Sequence, residues 1–324
     1  MESMKRVMNC RGGSLLLLST GFLACSPPGS NIEDDLQLWV VDQLGGSIVA
    51  YDAMTGRFRG DVVELESGVR PSSVALDGSR VMVTDFASGE LLAFKLDSNG
   101  PDEVIFENGP EGSHPRLEEP CAVRVIDGET WVLGNDSRNL LSFDGDRVSE
   151  RVDAPDTMRN PHSFEVSPDG WLYVVTSPVL RHLGLIQVWD PYDMKLVDHF
   201  GPYGELEEAT ALVFDLDGSL IVADYFGNQI VRYDTETGRI IEVLLDEADG
   251  LDRPVAMEMG PMGGLYVLDR RALLRLSEGP VEELFTHEQE GLIWPRNLHL
   301  VSLSSSERLS HPSGEIEEQL HRRF

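Results

Sequence analysis

The sequence predicts an all-β protein, a six-bladed β-propeller of four-stranded antiparallel blades whose first blade is closed by the C-terminal strand. Three observations carry this. Residues 41–57 (VDQLGGSIVAYDAMTGR) and 223–239 (ADYFGNQIVRYDTETGR) align without a gap and share Asp, Gly, Ile, Val, Tyr, Asp, Thr, Gly and Arg. Their offset of 182 residues leaves room for four units of about 45 residues, a period typical of propeller blades. Weaker copies begin at Ser72, Cys121, His162, Thr210, Val255 and Arg296, spaced 49, 41, 48, 45 and 41 apart, and five of the six follow a proline. Finally, the repeat region enters with LQLWVV, a second strand lacking a Pro-led first one, and leaves with PRNLHLV, a first strand lacking a second. Pairing the two ends makes the sixth blade and removes an open sheet edge.

The elements follow in chain order. Residues 1–24 carry Lys5, Arg6 and Arg11 ahead of a 13-residue apolar run, GGSLLLLSTGFLA, which is the pattern of a secretory signal peptide. As a helix that run reaches only about 20 Å, short of the ~30 Å hydrocarbon core of a bilayer. The segment Phe22-Leu23-Ala24-Cys25 resembles the lipobox of bacterial lipoproteins. That resemblance implies cleavage before Cys25, lipidation of Cys25 and attachment to the membrane, with Ser26 directing the protein to the outer membrane of a bacterial cell envelope. Residues 25–35 then form the lipidated tether. Of the three cysteines, Cys10 leaves with the leader and Cys25 takes the lipid, so Cys121 has no partner for a disulfide.

The propeller is assigned to residues 36–303. Asp77-Gly78, Asp127-Gly128, Asp169-Gly170, Asp217-Gly218 and Gly263-Gly264 supply the positive dihedrals of tight hairpins. The runs LWVV, VMVTD, WLYVV, LIVAD and LYVLD have the β-branched and aromatic content of buried strands. Residues 210–239 (TALVFDLDGSLIVADYFGNQIVRYDTETGR) resemble the consensus of NHL-repeat propellers, and the similarity extends over roughly residues 36–301. A WD40 propeller fits less well, since Trp189-Asp190 is the only Trp-Asp pair, and a two-sheet sandwich does not explain a six-fold register. Residues 304–324 form a polar tail.

The formal charge of −30, from 56 acidic and 26 basic residues, argues against a nucleic-acid partner. With the strands of each unit called a to d, the d-to-a and b-to-c connections share one face, here the upper face. Its long loops carry His114, Arg116, Arg181, His182, His287 and Trp294. The heads of the a strands, Ser72, Cys121, His162, Thr210, Val255 and Arg296, with Asn297, crowd the mouth of the central channel. Hydroxyls, a thiol, an imidazole and a guanidinium suit a small polar or anionic ligand better than a metal.

Two resemblances point instead to enzymes. Pro161-His162-Ser163 resembles the Pro-His-Ser segment of peptidyl-hydroxyglycine amidating lyases, which implies a zinc site, but only His162 carries over. SPDGWLYVV resembles gluconolactonase propellers, which implies a divalent cation, but His162 stands where that family's Asn would be and only Asn297 is a candidate ligand. Cys121 beside His162 could be a nucleophile or a buried structural thiol. Asp42, Asp85, Asp224 and Asp269 recur at the ends of b strands and are expected to stabilise turns. The expectation is a lipid-anchored binding scaffold for a protein partner or a small polar ligand, with no cofactor. The alternative is a divalent-cation-dependent hydrolase or lyase at the channel mouth.

Overall fold

Short apolar runs punctuated by Asp-Gly and Thr-Gly turns fold as hairpins, and hairpins repeated at this spacing build the ring. The structure is a computed structural model and describes residues 36–303 except 97–102, 110–114, 154–155, 178–183, 191–192, 202–204 and 278. The leader, Cys25, the tether and the C-terminal tail lie outside the described residues.

Blade one contains β1 (Leu36–Asp42), β2 (Ser47–Asp52) and β3 (Phe58–Asp61), and blade two contains β4 (Pro71–Asp77), β5 (Arg80–Asp85), β6 (Glu90–Lys95) and β7 (Glu103–Phe106). Blade three is β8 (Pro120–Ile126), β9 (Glu129–Gly134), β10 (Asn139–Asp144) and β11 (Arg147–Asp153). Blade four is β12 (Pro161–Val166), β13 (Leu172–Thr176), β14 (Leu185–Asp190) and β15 (Lys195–Phe200). Blade five is β16 (Ala209–Phe214), β17 (Leu220–Asp224), β18 (Gln229–Asp234) and β19 (Arg239–Leu245). Blade six is β20 (Ala256–Met259), β21 (Leu265–Leu268), β22 (Ala272–Leu276) and β23 (Glu282–Thr286), followed by a single helical turn, α1 (His287–Glu290). The last strand, β24 (Pro295–Ser302), returns to blade one and pairs antiparallel with β1, from Leu36↔Ser302 to Val41↔Asn297. Each of the six sheets therefore has four strands in a–b–c–d order, as the repeat predicts.

Alternation along the strands decides what each face touches. In β1, Leu38 and Val40 pack against Leu268, Leu273 and Phe285 of blade six, whereas Trp39 and Val41 pack against Val74, Val83 and Phe94 of blade two. The same division gives one apolar cluster at each of the six seams between neighbouring blades. Each fully buried large side chain there contributes roughly 1.5–3 kcal/mol, so each blade draws much of its stability from its neighbours. The hairpins have the expected chemistry: Asp127 and Gly128 both have positive φ (52° and 82°), the geometry of a type I′ turn.

The upper face is built by one contact repeated six times. One or two residues after each b strand an N–H is donated to a carbonyl ahead of the a strand of the same blade: Gln43 to Trp294, Phe86 to Arg70, Asn135 to Glu119, Ser177 to Asn160, Tyr225 to Glu208 and Arg270 to Asp252, at 2.8–3.1 Å. In four blades a buried aspartate at the end of the b strand reinforces this contact. Asp42 accepts from the N–H groups of Gly45, Ile293 and Trp294, and Asp224 from those of Gly227, Glu207 and Glu208. Asp85 and Asp269 do the same for Arg70 and Asp252. The repeated aspartates thus clamp loops, as their recurrence suggested. The repeat's glycine is explained with them, because a Cβ at Gly45 or Gly227 would run into the clamping carboxylate. Among the described residues no helix is long and apolar enough to cross a membrane.

Candidate functional site

The six a strands converge on a solvent-open cavity with an empty volume of about 650 Å³. All six predicted head residues line it, as do Gln43 and Phe86 from b-to-c loops, Asn297, and Arg124 from deeper in the channel. The ring deduced from repeat spacing is therefore assembled in space.

Its polar members are not equivalent. Ser72 donates its hydroxyl to the carbonyl of Pro120 in the next blade and sits 2.8 Å from the Thr84 hydroxyl. The thiol of Cys121 lies 3.3 Å from the carbonyl of Pro161 in the following blade, and Thr210 donates to the carbonyl of Pro254 at 2.9 Å. Three heads of different chemistry thus make one contact, a staple from each a strand to the first carbonyl of the next. Ligand donation by Ser72, Cys121 and Thr210 would have to compete with these bonds. Cys121 is also a poor nucleophile, since burial pushes its thiol up to about 12, with Arg296 only partly opposing the shift.

His162 sits between Asn160, whose side-chain amide is 3.1 Å from Nε2, and Glu208, whose carboxylate is 3.7 Å from it. Burial, aided by the positive charge of Arg296, pushes its pKa down to about 4, so the imidazole is neutral at physiological pH. Nε2 then accepts from Asn160 and Nδ1 carries the proton. Glu208 is shifted upward by burial, against the attraction of Arg296. Arg296 reaches from blade one far enough to act on Cys121, His162 and Glu208 in blades three, four and five. Its side chain is exposed and makes no hydrogen bond or ion pair among the described residues. The neighbouring Asn297 has a buried side-chain oxygen with no hydrogen-bond partner. Val255 adds only apolar wall.

The remaining predicted residues do not join this set. His287 is buried within α1, because Thr286 and Gln289 form a capping box that folds the turn inward. Its Nδ1 lies 3.1 Å from the Arg270 carbonyl, its Nε2 is buried without a hydrogen-bond partner, and it does not line the cavity. Trp294 is 40% exposed on the upper face but does not line the cavity. Arg116 is also outside the cavity, paired with Glu118 at 2.7 Å. His114, Arg181 and His182 lie outside the described residues.

Below the mouth is a feature the sequence reading missed. Three residues past the heads of the a strands lie Ala75, Arg124, Glu165, Val213, Glu258 and His299, and the four ionisable ones form a buried network. Arg124 lies 3.5 Å from Glu165 of the adjacent blade and 3.7 Å from Glu258 of the blade across the channel. His299 in turn lies 3.4 Å from Glu258. Burial pushes Glu165 up to about 7, with Arg124 opposing the shift and Glu258 adding to it. Arg124 itself is penalised by burial but held charged by Glu258 and Glu165. The signal was available in the aligned a strands, where a charge at an otherwise apolar position marks a channel residue. Among the described residues no three His, Cys, Asp or Glu side chains gather as a metal-holding cluster.

No protein-family profile matches this chain, and no curated protein matches its sequence. Solved structures do resemble it. A propeller in the nidogen/laminin complex superposes with a TM-score of 0.65 at 16% identity, covering 83% of this chain and 99% of that one. A protein of unknown function from Bacteroides caccae gives 0.59 at 17% identity, covering 82% and 99%. A catalytically inactive virginiamycin B lyase from Staphylococcus aureus, with quinupristin, gives 0.51 at 18% identity, covering 66% and 69%. The fold is shared. Identities this low say nothing more.

Proposed function

We propose that the protein is a lipid-anchored binding scaffold of the bacterial envelope whose channel mouth holds a small polar ligand. The observation that carries this reading is the contrast within the mouth ring. Ser72, Cys121 and Thr210 are occupied by staples, while Arg296 has a guanidinium with no hydrogen bond or ion pair among the described residues and Asn297, which lines the same cavity, has a buried amide oxygen without a partner. A cation and an acceptor left open at a concave site are groups a ligand can satisfy, and leaving them unmatched has a cost. Coarser support comes from the neighbours, since one propeller of this fold occurs in a complex with laminin and another with quinupristin. The upper face, with Trp294 and the long loops, is the surface available to a protein partner. The anchor rests on Cys25 and its lipobox, with Ser26 favouring the outer membrane.

The test is a thermal-shift screen of small polar molecules against the chain and a Val255→Trp variant, which narrows the mouth without altering its charges. Compounds that raise the melting temperature of the parent are expected to lose that effect in the variant. Equal shifts in both would place binding elsewhere. For the anchor, Cys25→Ser should release the protein from membranes, and unchanged membrane association would contradict it.

A further inference from the structure

The mouth and the network beneath it share one wall, because Arg124 lines the cavity above while touching two carboxylates below. Above the cavity is one cation, Arg296, which makes no hydrogen bond or ion pair among the described residues and acts on Glu208 only at longer range. Below it, the formal charges are one guanidinium against two carboxylates, with a histidine beside Glu258. A negative ligand is therefore attracted from above and repelled from below. Placing a proton on one carboxylate removes the repulsion and frees part of Arg124's charge for the cavity.

We propose that the cavity takes up a small monoanion together with one proton, the anion resting on Arg296 above Arg124 and the proton residing on Glu165. This rests on the channel-mouth reading above and names the ligand class and its coupling. The N–H donors of Arg296 are not engaged by any described residue, and a planar carboxylate can accept two of them at once.

Glu165 is the proton acceptor because of what surrounds it. Its side chain is 7% exposed and faces Arg124 from β8, Glu258 from β20 and, through Glu258, His299 from β24. From β13 its cross-strand partner is Tyr173, whose hydroxyl burial keeps protonated. Ala75 of β4 and Val213 of β16 fill the remaining register positions without charge. On its own strand the Val166 N–H donates to it, and His162 above is neutral. Burial holds Glu165 near the midpoint of its titration at about pH 7.

The test is isothermal titration of the chain with formate from pH 5.5 to 8.5, in two buffers of different ionisation enthalpy. Formate affinity is expected to fall with rising pH, by up to tenfold per unit above pH ~7, with proton uptake approaching one per anion at the alkaline end. Glu165→Gln should bind formate with a flat pH profile and no proton uptake, and Arg296→Ala should weaken binding at least tenfold at every pH. Inorganic phosphate, mostly a dianion at the alkaline end, should bind more weakly than formate. A flat profile in the parent, an unchanged slope in Glu165→Gln, or tighter binding of phosphate would overturn the proposal. If formate fails while other compounds show shifts lost in Val255→Trp, the channel-mouth reading stands and the anion–proton coupling falls. If nothing depends on Val255, both fall.

Discussion

Two layers of the same six strands behave in opposite ways. At the mouth, Ser72, Cys121 and Thr210 differ in chemistry yet repeat one contact, each reaching the first carbonyl of the next blade. Three residues further in, Arg124, Glu165, Glu258 and His299 repeat nothing, and they meet only because the ring brings neighbouring and opposite blades together. The difference teaches where to look on a symmetric scaffold. Contacts that follow the repeat hold the ring, and residues that depart from it, with Arg296 and Asn297 at the mouth, are free to serve a ligand.

The inner layer should be the more fragile. Arg124→Ala leaves two buried carboxylates without their cation, and the expected loss is about 3–5 kcal/mol by urea denaturation. Replacing all partners together, as Arg124→Met with Glu165→Gln and Glu258→Gln, should cost far less than the sum of the single changes, because no charge is stranded. If Arg124→Ala melts like the parent, the network is not the buried contact described.

The layers should also respond oppositely to pH. Glu165, raised from 4.5 to about 7, keeps a proton in the folded chain that the unfolded chain has already lost. Its contribution is full below pH 4.5 and is lost as pH climbs through about 7. His162, lowered from 6.5 to about 4, refuses a proton that the unfolded chain accepts, so its contribution is full above pH 6.5 and is lost as pH falls through about 4. The two slopes oppose each other between pH 4.5 and 6.5, and single variants separate them. In Glu165→Gln stability should rise with pH across this window, and in His162→Gln it should fall, each by on the order of 2 kcal/mol in urea titrations at several pH values. Parallel profiles in the two variants would contradict the assignment.

The smallest effect concerns the staples. Thr210→Val should cost about 1 kcal/mol, the price of one unmatched carbonyl at a seam. Cys121 is expected to resist thiol reagents until the chain unfolds, because its thiolate is disfavoured.

Much of this was legible before folding. The Pro-led heads and the 182-residue echo specify blade number, register and ring closure, because strand period and turn chemistry are local properties. The heads of the a strands are placed at the mouth by the same logic. Whether Ser72 or Thr210 is free depends on the neighbouring blade's carbonyl, which no local pattern reports. The burial of His287 was not legible because loop length locates a segment, while α1, capped by Thr286 and Gln289, sets how its residues pack. The Arg124 network was hidden because its members come from four blades separated by about 40 residues or more, and they gain meaning only in a closed ring.

The central claim is that the mouth ring divides into residues that hold blades together and residues that wait for a ligand. It is tested most directly by melting Thr210→Val and Arg296→Ala side by side, with and without saturating formate at pH 6. Thr210→Val should melt below the parent and keep its formate-induced stabilisation, and Arg296→Ala should melt like the parent and lose it. The reverse pattern, or the loss of both properties in both variants, would contradict the division.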